Sequence, residues 1–229
     1  GLWLALLAPE DYQQGRSVLI MFVHVPAAWL AMLCYSVMSV SALGTLVWIY
    51  THRLDPYRPL QGEGPPLVIQ AVAMDWKWLF IYPEHKVAAV NELVIPSGRP
   101  VTIALTSDTV MNAFFVPDLA GQIYAMAGME TRLNFRADRD GAYVGRNTQY
   151  SGSGFPDQSF TLRAVPAHDY DDLIDLLRQS PRALDPEAYA ALAAPSSKVP
   201  VAYYSAVPED LFASVIASYR LPSAHAGHE

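Results

Sequence analysis

The sequence predicts a mainly β fold, a β-sandwich or Greek-key barrel, preceded by one transmembrane helix and followed by short C-terminal α-helices. Three observations support this prediction: a long run without charge near the N-terminus, short strand-like runs in the middle of the chain, and amphipathic segments after them. The 229 residues carry a net charge of −7, and only 16% of them are charged. This balance argues against nucleic-acid binding, because that requires a basic face.

The predicted transmembrane helix covers residues 17–50. No Asp, Glu, Lys or Arg occurs between Arg16 and Arg53, and 34 helical residues at about 1.5 Å each exceed the ~30 Å hydrocarbon core. The alternative is a buried core helix, which seldom exceeds about 25 residues. We expect Pro26 to kink the helix or to mark its start, because proline lacks a backbone donor. The single cysteine, Cys34, excludes an intrachain disulfide.

Two short segments flank this run. Residues 1–16 form an N-terminal extramembrane segment. Residues 51–66 contain four prolines and two glycines, which is typical of an extended linker. The basic residues at the two ends of the run do not by themselves fix the orientation of the helix, because long domains translocate with little regard to charge.

The predicted sandwich covers residues 67–166. Runs rich in β-branched and aromatic residues recur there about every 10 residues and are separated by proline, glycine and aspartate turns. Seven or eight short strands at this spacing indicate a β-sandwich or Greek-key barrel. The candidate strands are 67–73, 77–82, 92–95, 101–107, 112–116, 131–137, 141–146 and 159–165.

Residues 167–220 are predicted to be helical. Residues 166–179 place Leu173, Leu176 and Leu177 on one face of an amphipathic helix. Two further candidates follow at 186–194 and 208–219, the first with proline at its first helical position. We expect residues 221–229 to form a disordered tail.

Motifs after the apolar run resemble subunit II of haem-copper respiratory oxidases. They are DWKWLFIYPE (75–84), VMNAFFVPDLAGQIYAMAGMETRLNFRAD (110–138), YSGSGF (150–155) and YYSAVPEDLFASVI (203–216). The resemblance covers nearly 180 residues, from about position 50 to the end of the chain. It implies a cupredoxin-like Greek-key β-sandwich in a protein of the respiratory chain.

Members of this family that accept electrons from cytochrome c hold a binuclear copper centre. Its ligands come from a V-x-H-S-F-type segment and a C-x-E-x-C-x3-H-x2-M loop. Copper of that kind requires soft thiolate and imidazole ligands, and none stands at the matching positions of this sequence. Those positions hold Asn112, Asn147, Gln149, Ser151, Phe155 and Gln158.

The resemblance therefore implies the branch of cytochrome bo-type ubiquinol oxidases, in which subunit II has lost the copper. It implies an accessory subunit with no catalytic residue, metal or cofactor of its own. Ubiquinol would deliver electrons to the large subunit, which would hold the haems and copper, reduce oxygen and translocate protons. The implied partners are the large subunit, other oxidase subunits and membrane lipid, and the implied location is the bacterial inner (plasma) membrane with the soluble domain on the periplasmic side.

Four residues are interface candidates: Trp76, Trp78, Tyr124 and Met126. In copper-bearing relatives a tryptophan of this motif lies at the surface where electrons enter. Without copper behind it, we favour packing of the tryptophans against neighbouring strands or against the large subunit. Tyr124 and Met126 belong to a loop with apolar character suited to docking.

The N-terminal part resembles a different family. Residues 8–48, which include DYQQG and HVPAAW, are similar to haem exporter protein C of cytochrome c maturation. The resemblance places that family's haem-contacting histidine at His24. The join lies near residues 48–50, and we interpret the chain as a natural fusion, an artefact of gene prediction or assembly, or an engineered chimera. Two other functions stay open: a haem-binding membrane fragment of cytochrome c maturation, and a membrane-anchored cupredoxin-like interaction domain without an oxidase partner.

Overall fold

The computed structural model describes residues 3, 7, 9–13, 15–55, 57–60, 62 and 64–219. It divides into two compact units, Gly1–Asp55 and Pro56–Glu229. The predicted tail, residues 221–229, lies outside the described residues, as does part of the predicted segment 1–16.

The first unit is built around helix α1, Leu19–Arg53, which follows a 3-10 turn at Arg16–Val18. Among the described residues, this is the one helix long and apolar enough to cross a membrane, with a mean hydropathy of 2.0. Pro26 lies inside the helix and does not mark its start. The helix also extends to Arg53, so the first residues of the predicted linker 51–66 are helical.

Polar side chains within α1 bond to its own backbone. The hydroxyl groups of Ser36 and Thr45 each donate, over 2.8 Å, to the carbonyl of the residue one turn earlier. In a hydrocarbon solvent such groups have no water to bond, so internal partners make the helix compatible with a membrane.

The second unit contains a sandwich of two mixed sheets, which confirms the predicted fold. The six-stranded sheet has the order β11-β3-β2-β1-β5-β8, and the five-stranded sheet has the order β4-β10-β9-β6-β7. β1 pairs with β5 in parallel and β4 pairs with β10 in parallel, whereas the other strand pairs are antiparallel. The strands are β1 Leu67–Met74, β2 Lys77–Tyr82, β3 Val87–Val90, β4 Glu92–Pro96, β5 Val101–Ser107, β6 Asn112–Val116, β7 Ala120–Ala125, β8 Thr131–Phe135, β9 Gly141–Arg146, β10 Ser159–Val165 and β11 Ala202–Tyr204.

The inner faces of the two sheets enclose an aromatic core. Trp78 and Phe80 from β2 meet Phe114 from β6 and Phe160 from β10, with ring centroids between 5.0 and 6.4 Å apart. Helix α2, Ala167–Arg178, adds Tyr170, Ile174 and Leu177 to the same core. These large side chains supply most of the apolar area that holds the sheets together.

The C-terminal region covers the outer face of the six-stranded sheet. Helices α3, Pro186–Ala193, and α4, Leu211–Ser218, pack with β11 against side chains of β1, β2 and β3. β2 is consequently buried along all six of its residues. The prediction that residues 167–220 are helical was wrong in one respect, because β11 in this region joins the sheet at the edge of β3.

Candidate functional site

Four of the six positions of the copper-ligand pattern meet at one end of the sandwich. Asn112 begins β6, whereas Asn147, Ser151 and Gln158 lie on the loop between β9 and β10. Each of the four is at most 8% exposed. The strands that carry the loop ends therefore bring these side chains together within the domain.

The four side chains form one hydrogen-bonded cluster, here called the amide cluster. Asn147 Nδ2 lies 2.7 Å from Asn112 Oδ1, 2.8 Å from Gln158 Oε1 and 3.2 Å from Ser151 Oγ. The Ser151 hydroxyl also donates to Gln158 Oε1 over 3.0 Å. Buried amide and hydroxyl groups are costly unless they are hydrogen-bonded, and here they satisfy one another.

Backbone groups complete the contacts of Asn147. Its Oδ1 accepts the backbone N–H of Ala113 over 2.8 Å and that of Gln149 over 2.9 Å. The side chain therefore ties the β9–β10 loop to strand β6. Gln158 and Asn112 bond outward in turn, to the carbonyl oxygens of Met74 and Val110.

Gln149 and Phe155 do not join the amide cluster with their side chains. Gln149 contributes its backbone N–H to the cluster. Phe155 begins a 3-10 turn, Phe155–Asp157, and its ring lies 5.8 Å from the ring of Tyr150. The loop therefore offers an aromatic side chain where the family's pattern has an imidazole.

The side chains of the amide cluster do not fit a binuclear copper centre. They contain neither sulfur nor imidazole, and their oxygen and nitrogen atoms are engaged in the hydrogen bonds described above. Soft thiolates and imidazoles are the ligands that copper of this kind uses. Among the described residues, no group of three or more His, Cys, Asp or Glu side chains is placed to hold a metal ion.

Trp76 covers the β9–β10 loop from the β1–β2 turn. Its indole Nε1 donates to the carbonyl of Ser151 over 3.0 Å, and its ring lies against Gly152 and Gly154. A Cβ at Gly154 would come within 2.2 Å of Trp76 Cδ2, so this close approach requires glycine. Trp76 itself has a φ of 63°, a left-handed conformation that is unusual for a bulky residue. These contacts give Trp76 a packing role within the domain.

The other interface candidates differ in exposure. Trp78 is fully buried in the aromatic core, so its prediction as a partner contact was wrong. Its side chain points between the sheets because alternate residues of a strand face opposite sides, and Trp78 shares the inner side with Phe80. Tyr124 and Met126 do not share a loop as predicted, because Tyr124 lies on strand β7, where it is 42% exposed. Met126 follows that strand and is partly exposed.

Two polar contacts beside the amide cluster were not expected from the sequence. Lys77 is completely buried, and its Nζ donates to the carbonyls of Asp75 and Ala194 and to the Ser196 hydroxyl. Burial lowers the pKa of Lys77, and the charge of Asp75 opposes this shift. A lysine at the start of the apolar strand KWLFIY was the available signal for such a site.

The second contact joins the β5–β6 loop to helix α3. The Tyr189 hydroxyl donates to Asp108 Oδ2 over 2.7 Å. Burial raises the pKa of Tyr189, and the hydrogen bond to Asp108 adds to that shift. Together with Lys77, this contact fastens the C-terminal region to the loops around the amide cluster.

His24 lies on α1, in the first unit, and takes no part in the amide cluster. Its prediction as a haem contact therefore depends on the N-terminal unit alone.

Three family models match successive parts of this chain. Residues 1–54 match heme exporter protein C, residues 85–162 match the periplasmic domain of cytochrome c oxidase subunit II, and residues 178–222 match the cytochrome oxidase aromatic-rich motif. Cytochrome bo(3) ubiquinol oxidase subunit 2 of Pseudomonas putida is 46% identical over 183 residues, which cover 80% of this chain and 58% of that protein. Over about four fifths of its length, this chain is similar to ubiquinol oxidase subunit 2.

A second relative and one solved structure are also similar to this chain. Ubiquinol oxidase subunit 2 of Acetobacter aceti is 44% identical over 179 residues, which cover 77% of this chain and 58% of that protein. The chain thus spans less than two thirds of the length of these curated relatives. The solved periplasmic domain of cytochrome oxidase subunit II of Bradyrhizobium japonicum has a TM-score of 0.49 and 19% identity, covering 52% of this chain and 96% of that one. Both resemblances noted in the sequence, to oxidase subunit II and to haem exporter protein C, are confirmed.

Proposed function

We propose that this chain is a copper-free, non-catalytic subunit II of a haem-copper ubiquinol oxidase. The complex would oxidise ubiquinol, reduce oxygen to water and translocate protons. The haems and copper would lie in the large subunit, and this chain would hold no cofactor or metal. Its role would be to stabilise the complex and to dock on the large subunit.

The amide cluster is the observation that carries this proposal. Asn112, Asn147, Ser151 and Gln158 occupy positions at which relatives that accept electrons from cytochrome c place copper ligands. Their side chains instead hydrogen-bond to one another, with donor–acceptor distances of 2.7 to 3.2 Å. A domain with this interior supports a structural role and offers no relay for electrons, so electrons would enter the complex elsewhere.

The proposed location is the bacterial inner membrane, with the sandwich on the periplasmic side. The length and hydropathy of α1 support a membrane anchor. The match of residues 85–162 to a periplasmic domain supports the side. Lipid would surround α1. The proposed contacts with the large subunit are Tyr124, Met126 and the solvent-exposed part of the Trp76 side chain.

Co-purification tests the proposed assembly. The full chain is tagged, expressed in a bacterium that contains a ubiquinol oxidase, and purified from its membranes in mild detergent. We expect the large subunit to be retained in near-stoichiometric amount, together with an absorption spectrum of b- and o-type haem. Isolation of the folded chain without any oxidase subunit would contradict the proposal and would favour the membrane-anchored interaction domain.

A second candidate function belongs to the N-terminal unit. The match of residues 1–54 to heme exporter protein C favours haem contact by His24. This proposal is tested on the purified full chain after haem addition. A Soret band that is lost in His24→Ala and kept in His52→Ala would support it, whereas a wild-type chain without such a band would overturn it.

A further inference from the structure

A half-buried histidine lies between the sandwich and helix α2. His85 lies in the turn between β2 and β3, and its ring centroid is 5.8 Å from that of Tyr170 on α2. Tyr170 is only 3% exposed and belongs to the core between the sheets. The imidazole therefore forms part of the contact that docks α2 along the edge of the sandwich, next to β3 and β4.

The surroundings of His85 suit a neutral ring. Arg178 Nη2, at the other end of α2, lies 3.5 Å from His85 Nδ1. A guanidinium can only donate, so Nδ1 faces it as an acceptor and the proton resides on Nε2. Nε2 is buried and has no hydrogen-bond partner among the described residues, and the same is true of the Tyr170 hydroxyl.

Four charged groups face this histidine. The guanidinium groups of Arg178 and Arg99 disfavour a positive ring, whereas the carboxylates of Glu84 and Asp171 favour one. Burial has the largest influence, and with Arg178 it lowers the pKa of His85 overall. Protonation would add an Nδ1–H that points at the guanidinium of Arg178, and it would place a positive charge next to that guanidinium.

We propose that His85 makes the docking of helix α2 dependent on pH, with a neutral ring in the docked state and release of the helix on protonation. The direction of this pH dependence follows from the difference in proton binding between the docked and the undocked state. A histidine exposed by undocking binds a proton near its ordinary pKa of about 6.5, whereas the docked ring resists it. Docking is therefore fully favourable above pH ~6.5 and is weakened as the pH falls below that value.

Release of α2 would expose apolar surface without unfolding the strands. Tyr170, Ile174 and Leu177 would leave the inter-sheet core, while the aromatic cluster around Trp78 lies on strands of the sandwich itself. Local opening of one element below the free energy of global unfolding is a common property of proteins. The docking of α2 would thus respond to acidification on the side of the membrane where the domain lies.

Amide hydrogen exchange of the detergent-solubilised full chain tests this proposal. Exchange is measured by mass spectrometry at several pH values between 7.5 and 5, corrected for intrinsic rates, and peptides of α2 are compared with those of β1 and β5. We expect the opening of α2 relative to these strands to increase several-fold as the pH falls through the histidine range. Opening of α2 that does not change with pH would overturn the proposal.

Three variants test whether His85 is the group that causes the pH-dependent opening of α2. His85→Asn keeps an acceptor for Arg178 but cannot take up a proton, so α2 should lose its extra opening at low pH. Arg178→Gln removes one of the opposing charges and brings the docked pKa of His85 closer to the undocked one, so the increase in opening at low pH should be smaller. His168→Asn is the matched control, because His168 is an exposed histidine of the same helix paired with Asp169, and it should leave the response unchanged. A His85→Asn chain that keeps the wild-type response, or a His168→Asn chain that loses it, would contradict the assignment.

Discussion

Asn147 organises the loop at the end of the sandwich with one side chain. It contacts the other three members of the amide cluster, and its Oδ1 also accepts two backbone N–H groups. Loss of this side chain would leave several buried donors and acceptors unpaired. Each such group costs about 1–3 kcal/mol.

The first prediction concerns the side chain of Asn147. We expect Asn147→Ala to lower the free energy of unfolding by about 2–4 kcal/mol, because more than one buried polar group loses its partner. Chemical denaturation of the full chain in detergent, followed by tryptophan fluorescence, measures this change. Gln149→Ala serves as the control, since the Gln149 side chain lies outside the cluster, and it should change stability by less than about 0.5 kcal/mol. Equal effects of the two substitutions would show that the cluster does not anchor the loop.

The second prediction concerns the contact between Trp76 and Gly154. We expect Gly154→Ala to destabilise the chain by about 1–3 kcal/mol, because its Cβ would overlap the indole. The same substitution in a Trp76→Ala background should cost clearly less, since the overlapping ring is gone. A double-mutant cycle in thermal or chemical denaturation gives this coupling. Additive effects would mean that the indole does not press on the loop.

The residues of the site were only partly predictable from the sequence. The resemblance to the family's copper-ligand pattern was sufficient to name Asn147, Ser151 and Gln158, because the pattern maps onto a short stretch of the chain. The contact between Asp108 and Tyr189 joins positions 81 residues apart, and no local pattern shows such a pairing. Trp78 was misplaced because an aromatic strand residue has the same appearance in sequence whether it faces the core or a partner.

At the scale of elements, every one of the eight candidate strands is present, and three further strands were missed. β3 has the sequence VAAV, in which the two alanines weaken the strand signal. β11 has three residues and forms only because the edge of β3 is available for pairing. Such elements depend on tertiary contacts and leave little trace in local sequence.

The third prediction concerns the C-terminal layer. Phe212 on α4 is 5% exposed and packs on the outer face of the six-stranded sheet. We expect Phe212→Ala to destabilise the chain by about 3–5 kcal/mol, as is usual for a buried phenylalanine. Leu176→Ala is the matched control, because Leu176 is 50% exposed on α2, and its thermal midpoint should stay close to that of the wild type. A Phe212→Ala chain as stable as the control would show that this layer contributes little to the fold.

At the scale of the whole molecule, two families follow one another along a single chain. Residues 1–54 match heme exporter protein C, and the matches to cytochrome oxidase subunit II begin at residue 85. The charges that flank α1 do not fix its direction across the membrane. The second unit has its own core, which argues that the folded domain decides the orientation.

The fourth prediction follows from that orientation. In intact spheroplasts of a bacterium that expresses the full chain, an added protease should digest the sandwich, because we propose that it lies outside the cytoplasm. Immunodetection of a tag at residue 229 would show the loss, and a cytoplasmic marker protein would confirm that the cells stayed sealed. Full protection of residues 64–219 would place the domain in the cytoplasm and contradict the proposed location.

Copper reconstitution tests the central claim most directly. The purified full chain, shown by circular dichroism to be folded, is incubated with copper, freed of unbound metal and examined for the intense near-infrared absorption of a binuclear copper centre. We expect no such band and no stoichiometric retention of copper, because the amide cluster offers neither thiolate nor imidazole. A stable near-infrared band with two coppers per chain would contradict the account.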